Sequence, residues 1–157
     1  MKSRLCPIFG LAAAIIGSVI LSLCLAPQAF GMSMYHVLTG SMEPGIPAGS
    51  VVYAAAIQAG EPRAGGVIVY DYGGTPVIHR VIDVLPDGAV IAKGDANPEP
   101  DPEPVDPVNI IGRTVFVIPG PNAGRLHVLM RVFGGLAVLM GVCILIAGAA
   151  GRRKLKS

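Results

Sequence analysis

Hydrophobic positions along this chain are sorted into blocks. Leu5 to Phe30 carries no charge and is longer than the roughly 20 residues a helix needs to cross a bilayer. Val132 to Gly151 is a second uncharged run, about one bilayer thickness long. Between them the apolar residues come in short groups separated by glycine- and proline-rich turns, which is the pattern of strands. Val51-Val52-Tyr53-Ala54 follows a Pro-Ala-Gly-Ser turn, and Val67-Ile68-Val69-Tyr70 follows Gly65-Gly66. Pro76 to Leu85 alternates, with Val77, His79, Val81 and Asp83 on one face and Ile78, Arg80, Ile82 and Val84 on the other. Pro86-Asp87-Gly88 is a tight turn, because proline presets one dihedral and glycine accepts positive φ, and Ala89 to Lys93 returns from it. Ile110 to Ile118 is a further strand. No segment of the middle region has the period of a soluble helix. The expected architecture is mainly β: a small antiparallel β ectodomain flanked by two transmembrane helices. Its expected parts are residues 1–4, a first span over 5–30, a β-domain over 31–127, a second span over 128–151 and a basic tail over 152–157.

Charge adds an orientation to this layout. All ten acidic residues lie between Glu43 and Asp106, whereas Arg63, Arg80, Lys93, Arg113 and Arg125 are the only basic residues between the apolar runs before Arg131. The middle is therefore about five units negative. Lys2, Arg4, Arg131, Arg152, Arg153, Lys154 and Lys156 supply the positive charge at the extremities, hidden in a formal net charge of +2. Basic flanks at both ends predict that both termini are cytoplasmic and the β-domain lies outside, in a multi-pass cell-membrane protein. This charge pattern is a topology signal and does not point to nucleic acid. A cleaved signal peptide is the competing reading of the first run. Against it, Pro27 sits three residues before a cut after Ala29, and the run exceeds the usual apolar core of about 7–15 residues. Arg131, with Arg125 and His127, reads as an interfacial collar whose long side chains reach for the headgroups. Cys6, Cys24 and Cys143 all lie in or beside the spans, so no disulfide framework is expected in the middle domain.

The segment Thr39-Gly40-Ser41-Met42-Glu43-Pro44-Gly45-Ile46-Pro47 places one serine in a rigid loop about eleven residues beyond Phe30, within at most about 36–40 Å of the first span. A serine hydroxyl is a weak nucleophile until a base takes its proton. His79, His36 and Lys93 are the candidate bases, and histidine suits the task because its ordinary pKa of about 6.5 lies near working pH. If Pro86-Asp87-Gly88 closes a three-residue loop, Val81 faces Lys93 and His79 faces Asp95, which would put a carboxylate beside the imidazole. A one-residue slip would destroy that pairing. Pro98 to Pro107 alternates proline with acids and forms an extended loop, which on composition alone reads as a solvated linker.

Gly40-Ser41-Met42-Glu43-Pro44, His79-Arg80-Val81 and Lys93-Gly94-Asp95-Ala96-Asn97 together resemble the successive boxes of type I signal peptidases, in that family's order. Histidine in the second box, where the usual bacterial branch carries lysine, resembles the endoplasmic-reticulum-type branch found also in archaea and some Gram-positive bacteria. The resemblance implies a signal-peptidase-like β fold, Ser41 as nucleophile and His79 as general base. It implies a second acid six residues beyond Asp95, which is Asp101, as the residue that orients His79, with Asp95 in support. It implies an oxyanion hole that includes the Ser41 N–H, to which the Thr39 hydroxyl can add a donor; a turn residue bonding its own backbone is the other reading of Thr39. Met42, Ile46, Val77 and Ile78 are candidates to line shallow substrate pockets. The implied activity is removal of signal peptides from exported preproteins at the outer membrane face. The implied partners are those preproteins, the lipid bilayer and the export machinery, and neither metal nor cofactor is called for. A Ser41–Lys93 dyad, and a non-catalytic membrane interaction protein with an acidic β ectodomain, are the alternatives. Self-cleaving repressors share a Ser/Lys β-domain but carry a DNA-binding helical module, which has no counterpart here.

Overall fold

The computed structural model describes residues 2–57 and 62–154. Met1, Glu61 and Lys156 lie outside the described residues, as do the side chains of Lys2, Arg4, Cys6, Arg152, Arg153 and Lys154. Helix α1 covers Lys2–Ala29 and helix α2 covers Ala123–Lys154. Between them run β1 (Ser33–His36), β2 (Val51–Ala55), β3 (Val67–Tyr72), β4 (Thr75–Val84), β5 (Val90–Lys93) and β6 (Ile110–Ile118), with one 3-10 turn at Pro107–Asn109 before β6. The chain separates into two compact units, one formed by residues 1–26 with 125–157 and the other by residues 27–124.

In the helical unit, Ile8–Ala29 and Ala123–Ala147 are each long and apolar enough to cross a membrane. Their large apolar side chains, such as Phe9, Leu23, Phe133 and Leu139, point outward and are mostly exposed. The helices meet where side chains vanish. A Cβ on Gly17 would lie 2.7 Å from the Gly134 carbonyl oxygen, and one on Gly141 would lie 2.6 Å from that of Gly10. Two buried glycines per helix thus set a close antiparallel crossing, the small-residue packing that apolar solvent favours. Helix α2 begins at Ala123, five residues after β6 ends, so Arg125 and His127 are on the helix.

The second unit is a six-stranded antiparallel sheet in the order β1-β2-β6-β3-β4-β5. Each expected strand is present, and β1 adds an edge. Gly73 and Gly74, at φ 61° and 86°, make the two-residue hairpin between β3 and β4 that only such residues permit without strain. One core cluster holds Ile68, Tyr70, Val81, Val90, Ala92 and Val105. Another holds Val37, Met42, Ile46 and Val52, which anchors the serine loop through two of its apolar residues. Gly49, at φ 84°, lies against the Pro121 carbonyl, so no side chain fits there.

Two expectations are corrected here. The Leu85–Ala89 closure forms, with the Leu85 N–H donating to the Ala89 oxygen at 2.8 Å. Beyond it a bulge between Val81 and Asp83 shifts the register, so Arg80, not Val81, faces Lys93, and His79 does not face Asp95. The proline-acid stretch is not a solvated linker. Its alternating prolines leave intervening N–H groups free to bond, and those of Asp101 and Val105 donate to the Ala92 and Val90 oxygens at 2.9 and 2.7 Å. Val105 is 6% exposed and packs in the core.

Candidate active site

Ser41 sits in the turn-rich loop between β1 and β2. Its carbonyl oxygen accepts from the Ala96 N–H at 2.8 Å. The Gly94–Asn97 turn presses on the same group, since a Cβ at Gly94 would lie 2.7 Å from the Ser41 oxygen. The serine backbone is therefore held by a turn distant in sequence. Its hydroxyl lies 3.3 Å from the Thr39 hydroxyl, either of which can donate.

The Gly94–Asn97 turn is in turn fixed by Arg80. Its guanidinium donates Nε to Asp95 Oδ1 at 2.8 Å and Nη2 to Asp95 Oδ2 at 2.7 Å, the two-pronged geometry that arginine makes with a carboxylate. Nη1 donates to the Gly65 oxygen at 2.8 Å. The hydrogen bonds from Arg80 hold the Asp95 carboxyl below the usual carboxylate range, and Asp95 in return raises the Arg80 pKa. A Cβ on Gly45 would meet Asp95 Oδ2 at 3.1 Å, so the serine loop folds directly over this ion pair. Asp95 thus packs under the loop and gives both carboxylate oxygens to Arg80, while it acts on His79 through charge alone.

His79 is buried to 8% exposure on β4. Its Nδ1 is 2.8 Å from Asp101 Oδ2, a pair whose side chains are 10% and 12% exposed. The same Asp101 oxygen accepts from the Tyr70 hydroxyl at 2.7 Å. Burial first, and then the bond to Asp101, push the Tyr70 pKa far above its ordinary value. Tyr70 was not among the residues that sequence reasoning singled out. Its signal was there: it shares the inward face of β3 with Ile68, and a buried tyrosine needs a partner for its hydroxyl.

Ser41 and His79 line one cavity of about 500 Å³. His36 to Thr39 form one side of it and Thr75 to His79 another, with Met42 and Asn97 between. Because β5 pairs with β4 only over Arg80 to Val84, the β4 segment from Thr75 to His79 has no partner strand on that side among the described residues. Among the expected pocket residues, Met42, Val77 and Ile78 line the cavity, while Ile46 is 5% exposed in the core cluster and does not. Lys93 does not line it either, and its Nζ donates to the Pro98 oxygen at 3.0 Å. No group of three or more metal-binding side chains exists among the described residues.

The arrangement has what acyl transfer to a serine requires: a hydroxyl, an imidazole facing the same space, a carboxylate on the far ring nitrogen, and an open strand edge where an extended chain can lie. Comparison with known proteins points the same way. The chain is 34% identical to signal peptidase I W of Bacillus subtilis (strain 168) over 99 residues, which is 59% of this chain and 52% of that protein. The chain thus spans about half the length of the curated relative it matches. No family model matches. The similarity supports kinship with type I signal peptidases at the family level.

Proposed function

We propose that this chain is a membrane-anchored serine endopeptidase that removes signal peptides from exported preproteins at the outer membrane face. The observation that carries the reading is the convergence of Ser41 and His79 on one cavity, with Asp101 bound to the ring nitrogen of His79. The preprotein lies extended along the free edge of Thr75 to His79, where main-chain bonds supply affinity and Met42, Val77 and Ile78 shape shallow pockets for small side chains. The Ser41 hydroxyl turns from Thr39 toward His79 Nε2 and attacks the scissile carbonyl as the ring takes its proton. Asp101 keeps the Nδ1 proton in place and stabilises the imidazolium. The oxyanion is met by the Ser41 N–H and by the Thr39 hydroxyl, which the attack frees from Ser41. The imidazolium then protonates the leaving amine. Water, deprotonated by the same ring, hydrolyses the acyl-enzyme and returns the proton to Ser41.

The anchors complete the reading. Two apolar helices with basic residues at both ends of the chain favour a topology with both termini in the cytoplasm and the residues between the spans outside, where a signal-peptide cleavage site emerges. The full chain in proteoliposomes, incubated with a preprotein, tests the scheme. Cleavage is expected from the parent and a loss of at least about a thousandfold from Ser41→Ala and from His79→Ala. Retained cleavage by either variant rejects it. An acylating probe that labels the parent and spares Ser41→Ala separates an enzyme from a membrane scaffold.

A further inference from the structure

Tyr70 has a position that the scheme above leaves unused. It is 4% exposed, and its hydroxyl and the His79 ring share a single oxygen of Asp101. On β3 it stands opposite Val77, one inward step from Ile68, which stands opposite His79. Tyr70 and His79 are therefore diagonal neighbours on one face, with ring centroids 6.2 Å apart and planes tilted by 59°. Asp101 arrives from the proline loop and is held otherwise by its own N–H on Ala92. Its backbone is thus fixed by β5, and its carboxylate by Tyr70.

We infer that Tyr70 is a positioning residue that sets the basicity of His79 through Asp101, an inference that rests on the peptidase reading above. The phenol, kept protonated by burial and by Asp101, always donates. It aims Oδ2 at the histidine and draws off part of the carboxylate charge. The less charge Asp101 keeps, the less it stabilises the imidazolium, and the lower the pH at which His79 remains a base. The other titratable groups nearby are already committed or peripheral. Arg80 and Asp95 bind each other, Tyr72 beside Tyr70 is exposed, and His36 lies on another side of the cavity.

The test uses the full chain in lipid nanodiscs with its histidines labelled at Cε1, the His79 signal being assigned with His36→Gln and His127→Gln. In Tyr70→Phe the His79 pKa rises by about half a unit or more, because an uncompensated carboxylate holds the ring proton more tightly. Site-specific replacement of Tyr70 by 3,5-difluorotyrosine, a stronger donor of nearly the same shape, moves it down. The acid limb of the pH–cleavage profile moves in the same two directions. A residue that merely fills space gives no such opposed pair, and an unmoved His79 in the fluorinated protein overturns the inference even if Tyr70→Phe fails to fold. A parent that cleaves no preprotein while His79 responds as described would sink the peptidase reading and leave the coupling standing.

Discussion

Asp95 and Asp101 stand six residues apart in neighbouring turns, and their environments have little in common. Asp95 gives both oxygens to Arg80 and props the loop that carries Ser41. Asp101 gives one oxygen to both His79 and Tyr70 and holds the other half of the proposed machinery. The proposed nucleophile is thus fixed through backbone contacts and an arginine that is always charged, while the proposed base is held by a carboxylate that a buried phenol also bonds. The contrast separates what must be rigid from what must be tunable. A nucleophile tolerates little displacement, whereas a base must change charge within one turnover.

The sharpest way to break this division is to remove one charge from each site. Asp101→Asn should lower kcat for preprotein cleavage by about 10³–10⁴-fold, because an amide favours the wrong tautomer and cannot stabilise the imidazolium. Cleavage by Asp95→Asn should stay within about tenfold of the parent under the same conditions, since its role is to brace the loop. Equal losses in the two variants, measured by cleavage in proteoliposomes, would erase the distinction. The next largest effect falls on the turn itself. Gly94→Ala puts a methyl 2.7 Å from the Ser41 oxygen and 2.8 Å from the Asn97 side-chain nitrogen, and backbone cannot yield as a flexible side chain can. A displaced Ser41 should cost about a hundredfold in kcat. A thermal melt showing the protein still folded would tie that loss to the site.

Most of the fold was legible from the sequence, because short apolar runs, one of them alternating, with glycine-proline punctuation leave little choice. The strands at Val51, Val67, Pro76, Ala89 and Ile110 and the turn at Pro86-Asp87-Gly88 follow from local rules alone. The pairing of His79 with Asp95 did not survive, because the bulge between Val81 and Asp83 shifts the register, and Asp95 is bonded by Arg80 instead. Alternation counts residues and cannot register an extra one. The proline loop misled for a related reason. Composition sees prolines and acids, whereas docking depends on which N–H groups the prolines leave free, here those of Asp101 and Val105. The placement of Asp101 beside His79 came from the family resemblance, and no spacing rule would have reached it.

The bracing pair should also show in stability and its pH dependence. Arg80 holds the Asp95 carboxyl below its unfolded value of about 3.9, so the pair stabilises the fold above that pH and loses its effect as pH falls through the lower folded value. Both partners are partly exposed, which limits the contribution to about 1 kcal/mol. Asp95→Asn should therefore melt below the parent at pH 7, and the gap should begin to narrow near pH 4 and close only once pH has fallen through the lower folded pKa of Asp95. A gap that persisted there would assign the loss to packing against Gly45.

The smallest expected effect discriminates between two of the three candidate bases, His79 and Lys93. Lys93 is the one lysine between the apolar runs, and a Ser–Lys peptidase would depend on it. In the sheet it stands opposite Arg80, not His79, and its Nζ is spent on the Pro98 oxygen. Removing it takes one hydrogen bond from the start of the proline loop, while the anchors at Asp101 and Val105 remain. Lys93→Ala should therefore cleave within about twofold of the parent, the scale of an ordinary surface change. A variant that lost cleavage while His79→Ala kept it would make the lysine the base. The His79–Asp101–Tyr70 arrangement would then be a structural strut like its neighbour, and the division between rigid and tunable supports would collapse into one.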